Sequence, residues 1–144
     1  MKVIAWFVLG LFLSSCGNDE TVTPPEPCLV DQASLTGAYV LQTDEVSGDC
    51  GRVGELEVEL IDGVVVPNES VGCSLTDSQW DQATCTNDAL HDCDDGDWVM
   101  RFDWVVSADL DDSDSISGTL SMEMSRWGGI YTCESEYSFI GTKK

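Results

Sequence analysis

From Trp98 to Ala108 the chain alternates. Trp98, Met100, Phe102, Trp104, Val106 and Ala108 fall on one face, with Arg101, Asp103 and Ser107 opposite. Successive side chains on a strand point to opposite faces, so this period of two predicts a half-buried strand. A strand with one apolar face must bury it against another layer or inside a sheet that closes on itself. The same pattern recurs along the chain. Leu56, Val58 and Leu60 alternate with Glu55, Glu57 and Glu59 over 54–61, Asp62-Gly63 suits a hairpin turn, and 64–66 returns until Pro67 limits the ladder. Ile116, Leu120, Met122 and Met124 share a face over 116–124, with Gly118 where a bend or a close approach is needed. After a turn at Trp127-Gly128-Gly129, Tyr131, Cys133, Tyr137 and Phe139 share a face over 130–141. Residues 36–43 predict a first strand, 71–84 read as either a strand around Trp80 or a turn of helix, and 86–97 read as a polar loop. No segment sustains a 3.6-residue period. The expected class is all-β: an antiparallel meander forming a small barrel or strongly curled sheet, with a β-sandwich as the alternative.

The beginning of the chain has a different character. Lys2 precedes an apolar run from Val3 to Leu13, and Ser14-Ser15 lead into Cys16. The run is too short to span a bilayer, which takes about 20 residues, and its layout is that of a secretory signal. The quartet Leu13-Ser14-Ser15-Cys16 resembles the lipobox of bacterial lipoproteins. That resemblance implies a signal peptide over 1–15, cleavage before Cys16, and lipidation of Cys16 on its sulfur and its new amino group. Several acyl chains on one residue would anchor it stably, where a single chain would not. By the same resemblance, Gly17 in place of an aspartate favours the outer membrane over the inner. Residues 16–27 then form the lipidated cysteine and a flexible tether, rich in acids, threonine and proline. Extended, this tether reaches about 35 Å. The remainder, 28–144, is one domain of ordinary size.

Cys16 also resolves an odd number. The chain has 7 cysteines, and assigning Cys16 to the lipid leaves Cys28, Cys50, Cys73, Cys85, Cys93 and Cys133. An even set in an exported domain predicts three disulfides. Six cysteines allow fifteen pairings, and the sequence leaves the choice open. The layout suggests Cys85 with Cys93 across the polar loop, Cys28 with Cys133 joining the domain's ends, and Cys50 with Cys73 around the first hairpin. No CxxC occurs, so neither a thioredoxin-like redox role nor a paired-cysteine zinc site has support.

The formal net charge is −21. A field of that sign repels nucleic acid and anionic headgroups and keeps a domain dispersed. Two stretches concentrate acids: Asp92, Asp94, Asp95 and Asp97 around Gly96, and Asp109, Asp111, Asp112 and Asp114. Calcium takes six to eight oxygens, so either loop is a possible calcium site, although neither fits the EF-hand spacing. His91 is the single histidine, expected to be solvated in the polar loop, and no Gly-x-Ser-x-Gly accompanies it. No catalytic residue, cofactor or resident metal is expected. Trp98 and Trp104 on one strand face could instead line an interior that holds a small apolar ligand.

Leu35-Thr36-Gly37-Ala38-Tyr39, followed by a meander and a cysteine-bearing last strand, resembles the layout of a lipocalin-type barrel. The whole arrangement also resembles the small cysteine-rich lipoproteins of unknown function common in myxobacteria. The functional expectation is a non-enzymatic, membrane-anchored envelope lipoprotein acting as a binding or structural module. The alternatives are a lipocalin-like carrier of a small apolar ligand and a calcium-stabilised adhesion domain.

Overall fold

A computed structural model of the chain describes residues 26–67, 72–126 and 128–144. The signal peptide over 1–15, Cys16, the tether as far as residue 25, and Trp127 lie outside the described residues. Among the described residues, eight strands form one antiparallel sheet: β1 (Gly37–Gly48), β2 (Glu55–Ile61), β3 (Val64–Val65), β4 (Cys73–Asp81), β5 (Thr86–Asp94), β6 (Trp98–Ala108), β7 (Ser115–Arg126) and β8 (Tyr131–Lys143). Their order across the sheet is β3-β2-β1-β8-β7-β6-β5-β4. Taken around a ring, this is simple chain order. β1 pairs with β8, from Tyr39 opposite Lys143 to Gly48 opposite Ser135, which leaves one seam, between β3 and β4. Across that seam β3 comes against β5. The sheet is thus a nearly closed barrel.

Neighbours decide the strand lengths where local pattern does not. β1 outruns the expected 36–43 because β8 pairs with it throughout, and a register shift between Glu45 and Ser47 lets the ladder continue past Val46. The stretch 71–84 resolves into the strand β4. The expected polar loop over 86–97 is corrected: Thr86–Asp94 is a central strand, paired to β4 on one side and to β6 on the other. β6 has the bounds its alternation predicts. Gly118 marks a close approach, since a Cβ there would collide with the Val105 carbonyl and the Phe139 ring.

Three disulfides form: Cys28–Cys85, Cys50–Cys133 and Cys73–Cys93. All three pairings suggested by the layout are corrected. Cys85 and Cys93 stand at opposite ends of a nine-residue strand-and-turn segment, about 26 Å apart at 3.3 Å per residue. Cys93 instead lies directly opposite Cys73 on β4. Cys50 follows the β1 end that pairs with β8, where Asp49 N donates to the Glu134 carbonyl, so its neighbour is Cys133.

One end of the barrel is plugged. The N-terminal segment crosses it, held by Leu29 N donating to the Leu110 carbonyl and by the Cys28–Cys85 bridge. A single 3-10 turn, Gln32–Leu35, is capped by Asp31, whose side chain accepts from Ala33 N, and it delivers the fully buried Leu35 into the barrel. Gln32 Nε2 donates to the Asp62 carbonyl and Lys143 Nζ to the Ser34 carbonyl, tying the plug to the β2–β3 turn and to β8. Beneath it Tyr39, Leu41, Leu60, Val106, Ile116, Tyr137 and Phe139 form a filled core.

Candidate functional site

Burial of the inward side chains falls steadily from the plugged end to the other. On β6, Ala108, Val106 and Trp104 are buried, while Phe102, Met100 and Trp98 are half-buried. On β2, Leu60 is buried, while Val58 and Leu56 are half-buried. Leu56, Val58 and Phe102 of this half-buried set line a cavity of about 380 Å³ that runs along the seam. Its walls are Leu56, Val58, Val65 and Val66 from the β2–β3 side, and Phe102, Trp104, Leu120 and Met122 from β6 and β7. Cys73 and His91 complete it on the β4–β5 side, and Glu57 and Glu59 stand at its rim.

β5 gives this interior its polarity. Its inward positions are Asn87, Ala89, His91 and Cys93, each buried. A strand flanked on both sides in a barrel would normally present large apolar residues there. His91 is 3% exposed, and its Nε2 has no hydrogen-bond partner. Asn87, one inward step beyond Ala89, is fully buried, with its amide oxygen and nitrogen both unpartnered. Buried polar atoms are nearly always paired, because desolvating one without a partner costs about 1–3 kcal/mol. Burial pushes the His91 imidazole below its ordinary pKa, while its bond to the Val65 backbone works the other way. The ring is therefore neutral near pH 7.

The expectation of a solvated His91 is thereby corrected: it faces the cavity. The signal that locates it was present, since Asn87, Ala89, His91 and Cys93 alternate with Asp88, Leu90, Asp92 and Asp94. Polarity on the inner face hid that period. Trp104 lines the cavity and packs edge-on to Phe139, with ring centroids 5.9 Å apart. Trp98 is not in its wall. It lies at the open rim against Tyr131, with the Arg126 guanidinium 5.0 Å from its ring centre.

The acidic stretches form turns whose carboxylates bond to the backbone. Asp94 Oδ1 accepts from Gly96 N, and Asp95 Oδ1 accepts from Asp97 N and Trp98 N at 3.0 and 2.8 Å. Asp112 Oδ1 accepts from Asp114 N at 2.8 Å. Among the described residues, the one group of three metal-type ligand atoms within 4.8 Å is Asp49, Cys50 and Cys133, and its sulfurs are joined in a disulfide. A wider hollow of about 650 Å³ lies on the outer face of β4 to β7, among Asp77, Asp88, Asp103, Glu123 and Arg101. Those side chains are all exposed to water. The interior cavity is smaller, yet its walls are mostly apolar, and the buried His91 borders it.

The chain matches no protein-family model, no curated protein and no solved structure.

Proposed function

We propose that this chain is an exported bacterial lipoprotein, anchored through Cys16 in the cell envelope, whose β domain is a non-enzymatic binding module for a small apolar ligand. One observation carries the binding half of this reading. The apolar cavity of about 380 Å³ is walled by Phe102, Trp104, Leu120 and Met122 and bordered by the buried His91. Small-molecule sites combine mostly apolar walls with a few placed polar groups, at volumes of about 300–1,000 Å³. The net charge of −21 keeps the domain away from anionic headgroups, and a tether over 16–27 would let it stand clear of the membrane.

Trp104 in the cavity wall makes binding visible. A mature chain carrying Cys16→Ser, and so free of acyl groups, is titrated with a panel of neutral and charged lipids, sterols and aromatic compounds. At least one class should change the tryptophan emission and raise the melting temperature, by an amount that grows with ligand concentration. A panel with no effect on either readout removes the case for a carrier. The anchor has its own test. Mass spectrometry of the membrane fraction should find the chain beginning at an acylated Cys16, and a mature protein free of fatty acid refutes it.

A further inference from the structure

We infer that the seam cavity takes a ligand with an apolar tail and a cationic head, held tail inward with the head beside Glu59 at a mouth on the edge of β2. This rests on the binding reading above and narrows its ligand class.

The position of the mouth carries the inference. Side chains on a strand alternate between its two faces, yet the cavity is bordered by four successive residues of β2: Leu56, Glu57, Val58 and Glu59. Leu56 and Val58 are half-buried on the inner face, and Glu57 and Glu59 are exposed on the outer. A hollow that touches both faces reaches around the edge of the strand, so it meets water there. Among the described residues, β3 covers this edge only at Leu60 and Ile61, with one further bond from Val66 N to the Glu59 carbonyl. Pro67 has no N–H with which to extend the ladder. A molecule entering over this edge passes Leu56 and Val58 and meets Phe102, Trp104, Leu120 and Met122 beyond them. Whatever stays at the mouth lies among carboxylates.

The wall decides the sign of the head. Its ionisable side chains are Glu57, Glu59 and His91, and burial of His91 disfavours a cationic imidazole. Lysine and arginine are absent from the described wall. Glu57 is paired with the Lys144 ammonium. Glu59 has no ion-pair partner among the described residues. An anionic head would have to compete with Glu57 for Lys144 while lying beside Glu59. A cationic head gains Glu59 and keeps its water, because it stays at the mouth. The apolar tail supplies the affinity. The carboxylates only order the heads, since exposed ion pairs are weak and screened by salt.

Three ligands with the same eight-carbon tail test this: octylammonium, octanol and nonanoate. They are titrated calorimetrically into the mature Cys16→Ser chain at about 0.01 M and about 1 M salt. At low salt octylammonium should bind about tenfold more tightly than nonanoate, the attraction of one head adding to the repulsion of the other. High salt should shrink that ratio to about twofold and leave octanol nearly unchanged. Glu59→Gln removes an exposed charge. It should lower the ratio about threefold at low salt and keep the affinity for octanol. The control is Glu136→Gln, which removes the same charge from the exposed face of β8, a strand separated from β2 by β1. It should leave the ratio unchanged, which separates a local contact from the field of the whole acidic domain. Equal binding of the two ions, preferred binding of nonanoate, or a ratio lowered alike by both substitutions overturns the inference and leaves the cavity as a binding site. Binding of none of the three overturns both readings.

Discussion

The two halves of this barrel are built on the same strands, with the same alternation, yet one is packed and the other is hollow. At the plugged half, Leu35 arrives from the N-terminal segment, Leu60 from β2 and Val106 from β6, and all three are at most 1% exposed. Four residues along β2, Leu56 points to the same interior and is only half-buried. What differs is what arrives from the facing side. Leu35 enters one half from above, whereas β5 supplies the other with His91. A planar polar residue leaves volume that a larger apolar one would fill. The comparison teaches that alternation decides which side chains turn inward, while the bulk of each inward residue decides whether the inside is a core or a site.

Two leucines on one strand face test this difference, and the first prediction carries the largest effect. Leu60→Ala opens a cavity in packed surroundings and should cost about 3 kcal/mol of stability. Leu56→Ala enlarges a space that is already open, removes fewer close contacts, and should cost about 1 kcal/mol. Their effects on binding should run in the opposite order, since Leu56 lines the cavity and Leu60 does not. Chemical denaturation of both variants, with and without an apolar ligand, measures the pair. Equal costs would mean that the open half packs as tightly in solution as the plugged one.

The sequence carries most of the fold and little of the site, for reasons visible in particular residues. β6 is legible to its exact ends because its inward residues are all apolar or small and its outward ones are mixed. β7 and β8 are legible for the same reason. β5 is not, because Asn87 and His91 break the apolar signature of a strand whose geometry is otherwise regular. That single omission propagates. With 86–94 taken as a loop, Cys85 and Cys93 look close, and the bridges Cys28–Cys85 and Cys73–Cys93 are both hidden. The lining of Trp104 could be anticipated from its face on β6, but the hollow itself could not. Leu56, Val58 and Phe102 look the same in sequence whether a neighbour fills the space beside them or not.

The smaller prediction concerns the boundary between the halves, where His91 sits. Burial holds its pKa below the ordinary histidine value of about 6.5, and the Val65 backbone bond only partly opposes this. In the unfolded chain the same ring protonates near that ordinary value. As pH falls through about 6.5, the unfolded state therefore binds a proton that the folded state resists, and stability falls. Above that pH both states are neutral at this site, and the group contributes no pH dependence. The slope for one proton is at most about 1.4 kcal/mol per pH unit. His91→Leu removes the term. Near pH 7.5 it should be no less stable than the parent, because an apolar side chain leaves no buried acceptor unpaired. Below about pH 6.5 it should gain steadily on the parent. Glu57 and Glu59, at the rim of the same cavity, are common to both proteins, so the difference between the two stability curves isolates the histidine. A difference curve that stays flat from about pH 7 to pH 5 would place the imidazole in water. The polar wall that separates a packed half from a hollow one would then face solvent.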